Sequence, residues 1–477
     1  MQVDEHLKSI AICSAIWKKY YFSIPERILF ESDINFYQIP VDKKGSELNH
    51  LKSKYSKHNH NLNYNDLDNN NIKKKNIVSR NDNIKLMQKL DKIYLKKGFK
   101  PNDLSLKLNV SAPTEDFTYK PDQLLNDLNQ KSQKTKLSTE EKNYRSFLQY
   151  SKDFQDQERF YFTFPFIHID NDAELHHYNF PFIKQIITHD ERLHVIHHLV
   201  RSWFKFCENY GIVTWINYGN LIGWWFNAQN LPWDNDVDVQ VSIQDLDKIG
   251  RLYNNSLIVE NPKNGNALFW LQTDPFYPHD GLGKNFIDAR FIDTRTGIYI
   301  DVSALWNTPN DPPNNLYPSD MSEDEKKKQV EVHCKHWQWF LLTDIFPLRR
   351  TIYEGAQAYI PRKIETILNR FYSDRAITET RIFKHNYQED ISLWVPDEIC
   401  NDKPNVDQRF DENGFLTIEG ACNNSLLKSA YDTSKDAIEL HRKEFELYKD
   451  GDKDTSQLSK KELPVFRQDP FEYVNNL

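Results

Sequence analysis

Apolar positions along this chain recur with two spacings, and the switch between them marks out a segment of mixed helix and strand. In THDERLHVIHHLVRSWFKFCENYG, the apolar residues Leu193, Ile196, Val200, Trp203, Cys207 and Tyr210 return every three or four positions, the spacing of one helix face. Thr188 and Glu191 precede it at capping-box spacing, and Gly211 supplies the stop. IVTWINY (212–218) then reads as a buried strand, and Gly219-Asn220 as the turn into a short helix, LIGWWFNA. VDVQVS, NFIDARFID and GIYIDVS read as three more strands, the last two joined as a hairpin through Thr294-Arg295-Thr296-Gly297. After the proline-rich NTPNDPPNNLYP, the stretch IPRKIETILNRFY predicts a helix with Pro361 at its first position and Ile364, Ile367, Leu368 and Phe371 on one face.

The pattern fades at both ends. KYSKHNHNLNYNDLDNNNIKKKN (54–76) carries too little apolar surface to offset the entropy of ordering it, which predicts a flexible loop. IKLMQKLDKIYLKK (84–97) has helical spacing, and beyond about residue 400 the chain is polar with one charged helix near DAIELHRKEFELYKD. Three regions are therefore expected: a variable N-terminal region over 1–154, a catalytic domain over 155–375, and a polar, partly helical extension over 376–477. The expected class is α/β, a mixed sheet flanked by helices.

Composition sharpens this in three ways. Apolar residues make up 39% and aromatics 13% of a chain with only 14 glycines, so the core is expected to be built from Phe, Tyr and Trp. The net charge of -8 and the placing of the lysine runs in asparagine-rich sequence argue against a nucleic-acid partner. Cys13, Cys207, Cys334, Cys400 and Cys422 form no CxxC pair, which excludes a zinc ribbon and leaves one or two disulfides open. Sequons stand at Asn109, Asn254 and Asn423. No apolar run approaches the ~20 residues of a membrane span, and SIAICSAIW, from Ser9, is too short for one.

The candidate chemistry lies in GNLIGWWFNAQNLPWDNDVDVQV. Strand alternation puts Asp236 and Asp238 on one face while Val237 and Val239 enter the core. Two close carboxylates repel unless a cation lies between them, and an all-oxygen set suits Mg2+ or Mn2+. Asp301, in IYIDVS, completes a triad if its strand lies beside the first. Upstream, Gly219-Asn220 opens a helix whose amides could face a phosphate. That order is the layout of a nucleotidyltransferase-like fold; the competing reading is a structural DxD, which is common.

Other features carry two readings each. Trp224, Trp225 and Trp233 form either a stacking lip or core, with core favoured for Trp225. His194 and His198 have zinc-like spacing without a third ligand, which favours satisfied histidines. Lys335 and His336 stand either as phosphate contacts or as a strand edge, and Arg349 and Arg350 as phosphate clamps or surface ion pairs.

At INYGNLIGWWFNAQNLPWDNDVDV, IDARFIDTRTGIYIDVSAL and IFPLRRTIYEGAQAYIPRKIETIL, the chain resembles the LicD family of phosphotransferases with its fukutin-like members, over about 155–375. Within that family it is similar to the fungal branch of mannosylphosphate transfer. The resemblance implies a Golgi enzyme moving mannose 1-phosphate from GDP-mannose to mannose on N- or O-linked cell-wall mannan, with GMP released. It implies a catalytic site of Asp236, Asp238 and Asp301 holding Mn2+ or Mg2+, with Asp301 completing the site or acting as base, the donor diphosphate at Gly219-Asn220, and Arg349 and Arg350 as phosphate clamps; Lys335, shortly before them, is a further candidate. The implied partners are GDP-mannose, a mannan acceptor and other Golgi mannosyltransferases. Asn235 stands where many relatives carry a fourth acid, which leaves Asp234 as a loop cap. Two alternatives remain: a non-catalytic regulator or accessory subunit of a separate mannosylphosphate transferase, and a DxD glycosyltransferase.

Overall fold

In a computed structural model of the chain, the described residues are 25–40, 80–98, 109–154, 161–162, 178–179, 182–183, 187–281, 285–400, 409–449 and 462–471. The predicted loop over 54–76, the SIAICSAIW stretch and Cys13 lie outside them.

The central element is an eight-stranded mixed sheet. Its strands are β1 (Arg27–Glu31), β2 (Phe36–Pro40), β3 (Thr214–Ile216), β4 (Val237–Ser242), β5 (Ser256–Val259), β6 (Leu268–Thr273), β7 (Ala289–Asp293) and β8 (Tyr299–Leu305). Their spatial order is β2-β1-β5-β6-β7-β8-β4-β3. The pairs β1·β5 and β4·β8 are parallel and the others antiparallel. Sequence patterning anticipates β3, β4, β7 and β8. It misses β5 and β6, and also the N-terminal strands β1 and β2, which extend this same sheet.

Local chemistry explains the elements that frame the site. The principal helices are α1 (Arg80–Lys96), α2 (Pro121–Lys134), α3 (Thr139–Asp153), α4 (His189–Tyr210), α5 (Gly219–Asn227), α6 (Ile243–Leu252), α7 (Ile364–Tyr372) and α8 (Ser425–Lys449). Helix α4 starts on the predicted capping box, with the Thr188 hydroxyl and the Glu191 carboxylate each accepting from the other's amide, and stops at Gly211 in the left-handed region. The β7–β8 turn is fixed by Asp293, whose Oδ1 accepts the amides of Arg295 and Thr296. Gly297 is required there: its φ is 86°, and a Cβ would meet Asn179 O at 2.8 Å. Pro361 precedes α7 rather than opening it, while Ile364, Ile367 and Leu368 are buried as predicted.

Packing fills the layers around the sheet. Helix α4 lies against β7 and β8, and α6 against β4, β6 and β8. Val237, Val239, Phe291, Ile300 and Val302 are fully buried between them. A second hairpin, β9 (Leu348–Tyr353) with β10 (Ala356–Ile360), packs on α4 and β3. The C-terminal helix α8 lies against α5 and β9, and its neighbourhood holds a disulfide between Cys400 and Cys422. Cys207 and Cys334 are buried free thiols. Among the described residues, no helix is long and apolar enough to cross a membrane.

Candidate functional site

The acidic cluster forms where two parallel strands run side by side. Asp238 on β4 and Asp301 on β8 are register partners, and Asp236 lies just before β4 begins. One carboxylate oxygen from each of Asp236, Asp238 and Asp301 lies within 4.8 Å of the others, a spacing at which the three could hold a divalent metal. Such proximity is electrostatically costly. Burial, then the charges of Asp236, Asp301 and Asp234, push the Asp238 carboxyl well above its ordinary range.

Two neighbours change the picture drawn from the pattern alone. The first is Arg290, fully buried on β7 opposite Asp301, whose Nε donates to Asp301 Oδ1 at 2.8 Å. Its guanidinium carbon lies 3.8 Å from the centre of the Tyr299 ring, inside cation–π range. Arg290 belongs to NFIDARFID but was not singled out. Counting the hairpin outward from its turn pairs Ile292 with Tyr299 and so Arg290 with Asp301, and that count was available in the sequence.

The second is Asp234. It is not only a loop cap: its carboxyl is hydrogen-bonded to that of Asp236, and burial followed by the Asp236 charge pushes it well above its ordinary range. A Cβ on Gly219 would stand 3.0 Å from Asp234 Oδ2, so an acid lies close to the start of α5, where the diphosphate was expected. Asn220 is likewise committed inside the protein. Its Oδ1 accepts the Asp238 amide at 2.6 Å, and its Nδ2 donates to Asn230 Oδ1 at 2.7 Å. Asn235 receives a hydrogen bond from the buried Arg192 of α4.

The cationic candidates sit in other networks. Lys335 is buried, with its Nζ 2.8 Å from Asp288 Oδ1 and donating to Phe276 O at 3.0 Å. His336 lies beside the Phe286 ring. Arg349 places its guanidinium 4.5 Å from the centre of the Tyr448 ring on α8, and both Arg349 and Arg350 bear electrostatically on Glu444 of that helix.

The aromatic and histidine candidates resolve similarly. Trp224 is core, its Nε1 donating to Thr351, and Trp225 packs edge-on against Phe445. Trp233 lies beside Phe383, His385 and Trp394. His198 is satisfied by Glu260 and by the Arg467 carbonyl, and His194 by the Gln468 carbonyl. Tyr372, at the end of α7, is a further neighbour of the cluster: burial, then Asp238, Asp234 and Asp236, raise its hydroxyl pKa.

Comparison with known proteins places these features in a family context. Residues 211–363 match the family described as LicD/FKTN/FKRP, nucleotidyltransferase domain. The chain is 36% identical over 137 residues to Mannosyltransferase regulator 4 of Saccharomyces cerevisiae, covering 28% of this chain and 12% of that protein. It is 28% identical over 204 residues to Mannosyltransferase regulator 14 of the same organism, covering 41% of this chain and 21% of that protein. The chain thus spans a small part of the length of these curated relatives.

These matches correct the functional expectation. The similarity to a LicD-type nucleotidyltransferase domain over residues 211–363 stands, as does the likeness to two yeast proteins named as mannosyltransferase regulators. The expected mannosylphosphate transferase does not, and the transferase and phosphotransferase emphasis falls with it, together with a catalytic role for the metal site, because both relatives are named as regulators of a mannosyltransferase. The residue pattern misled for a physical reason: clustered carboxylates on a nucleotidyltransferase-like sheet report charge geometry, and a protein that binds without turnover can keep the same geometry.

Proposed function

We propose that this chain is a non-catalytic positive regulator or accessory subunit of a separate mannosylphosphate transferase acting on cell-wall mannan in the Golgi. The observation that carries this reading is its similarity to two proteins named mannosyltransferase regulators, together with the LicD-type match over residues 211–363. In this reading the domain serves as a binding module for the nucleotide-sugar system, with GDP-mannose as the ligand its partner consumes.

The site geometry is compatible with a binding role. Asp236, Asp238 and Asp301 would hold Mn2+ or Mg2+, both of which favour oxygen ligands. A divalent cation among the three carboxylates would offset repulsion that the buried Arg290, paired with Asp301, relieves only in part. Lys335 is held by Asp288, and Arg349 lies over Tyr448 of α8, contacts compatible with structural roles. The test is reconstitution. The purified chain is expected to co-purify with the transferase and to raise its rate of mannose 1-phosphate transfer severalfold. An unchanged rate with both proteins folded would remove the regulator reading.

A further inference from the structure

Residues 462–471 lie far along the sequence from the acidic cluster, yet they dock onto the elements that hold it. Leu463 donates its amide to Gly355 O at 3.0 Å and accepts from Arg201 at 2.8 Å. Phe466 packs on the His197 ring with centroids 4.4 Å apart. Arg295 Nη1 reaches both carboxylate oxygens of Asp469, at 2.8 and 2.7 Å, while its Nη2 donates to Asp293. The contact is charge-assisted, stronger than one between neutral partners.

At the centre of this docking is Glu354, fully buried in the β9–β10 turn. Its Oε2 accepts from Arg467 Nε at 3.2 Å and lies 3.0 Å from His197 Nδ1. Its Oε1 accepts the Asn230 amide at 2.8 Å. Arg467 also donates to Gln229 at 2.9 Å. Against burial, which raises it, Arg467 and then His197 hold the Glu354 carboxyl down at about 2, so it is a permanent anion here. From Asn230 the chain of bonds runs on: the Asn230 side-chain oxygen accepts from Asn220, and Asn220 in turn accepts the Asp238 amide.

We propose that residues 462–471 are a latch that sets the position of the acid-bearing loop, with Arg467 as the positioning residue acting through Glu354, Asn230 and Asn220 on Asp238. Docking the latch fixes residues 229–238. Releasing it leaves Glu354 buried beside His197, without the cation that neutralises it, and lets the loop relax. The latch rests on hydrogen-bond geometry alone; its bearing on ligand binding rests on the function proposed above. A partner that captures residues 462–471 would thereby control the cluster.

Amide hydrogen exchange on the full chain tests this. Arg467→Ala is expected to speed exchange at the Asn230 and Asp238 amides at least about tenfold, with the amides of β6 unchanged. Arg467→Lys, which keeps the charge, should fall between. A chain shortened to residue 461 should show the same acceleration, reversed by adding a synthetic peptide of residues 462–471. Unchanged exchange at Asn230 and Asp238, or equal acceleration across the whole sheet, overturns the latch. Manganese affinity, read by electron paramagnetic resonance, should drop with Arg467→Ala. A wild-type chain that binds no manganese removes the cation reading while the exchange result still decides the latch.

Discussion

Arg290→Met is expected to destabilise the protein more than Asp301→Ala, although the two residues form one ion pair. Breaking a buried pair by removing one partner costs about 3–5 kcal/mol, because the other charge is left without compensation. The pair here is 2.8 Å long, with Arg290 fully buried and Asp301 nearly so. Removing Asp301 leaves one buried cation but also relieves Asp238 of a like charge, which places this variant near the low end, about 3 kcal/mol. Removing Arg290 leaves three carboxylates facing one another, which places that variant at the high end, about 5 kcal/mol. Methionine retains most of the volume, so little of the loss comes from a cavity. Urea denaturation of the two variants measures the order. Equal losses, or the larger loss with Asp301→Ala, would contradict the electrostatic account of the site.

Stability should also fall as pH rises through the range set by Glu444. This carboxyl is buried on α8, where its Oε2 accepts from Thr351 at 2.7 Å. Burial pushes its pKa from 4.5 up to about 7, against the opposing pull of the Thr351 hydrogen bond. The sign follows from proton counting: between those values the folded protein holds a proton that the unfolded chain has lost, so the free energy of unfolding declines with rising pH. Below about 4.5 both states are protonated and the difference vanishes. Above about 7 it is complete, on the order of 3 kcal/mol. Glu444→Gln keeps a partner for Thr351 and removes the titration. The variant should therefore match wild type near pH 4 and exceed it by about 3 kcal/mol at pH 8. Parallel pH profiles for the two proteins would sink the assignment.

Sequence pattern reached the centre of the molecule better than its edges. The capping box at Thr188, the strand VDVQVS and the β7–β8 hairpin were legible because each is encoded within a few residues. The triad was legible because alternation on a strand fixes which side chains share a face, and the register of β4 with β8 brings Asp238 beside Asp301. Strand β1 was not legible, since its pairing with β5 joins segments more than two hundred residues apart, and β2 enters the sheet only through β1. For the same reason nothing in residues 462–471 announced contacts with Glu354 or Arg295; short polar segments reveal their partners only through long-range geometry. Asp234 was misread because a loop residue follows no period, so its approach to Asp236 could not be counted out. The activity was misread at another level, because residue identity at a cluster does not distinguish binding from turnover.

Turnover by the chain alone separates binding from catalysis. The most direct measurement incubates the purified, folded chain alone with GDP-mannose, manganese and a mannan acceptor, and identifies nucleotide products by mass spectrometry. A regulator releases neither GMP nor GDP above the protein-free background, while adding the separate transferase restores GMP. Release of GMP by the chain alone, lost in Asp238→Asn, would contradict the central claim.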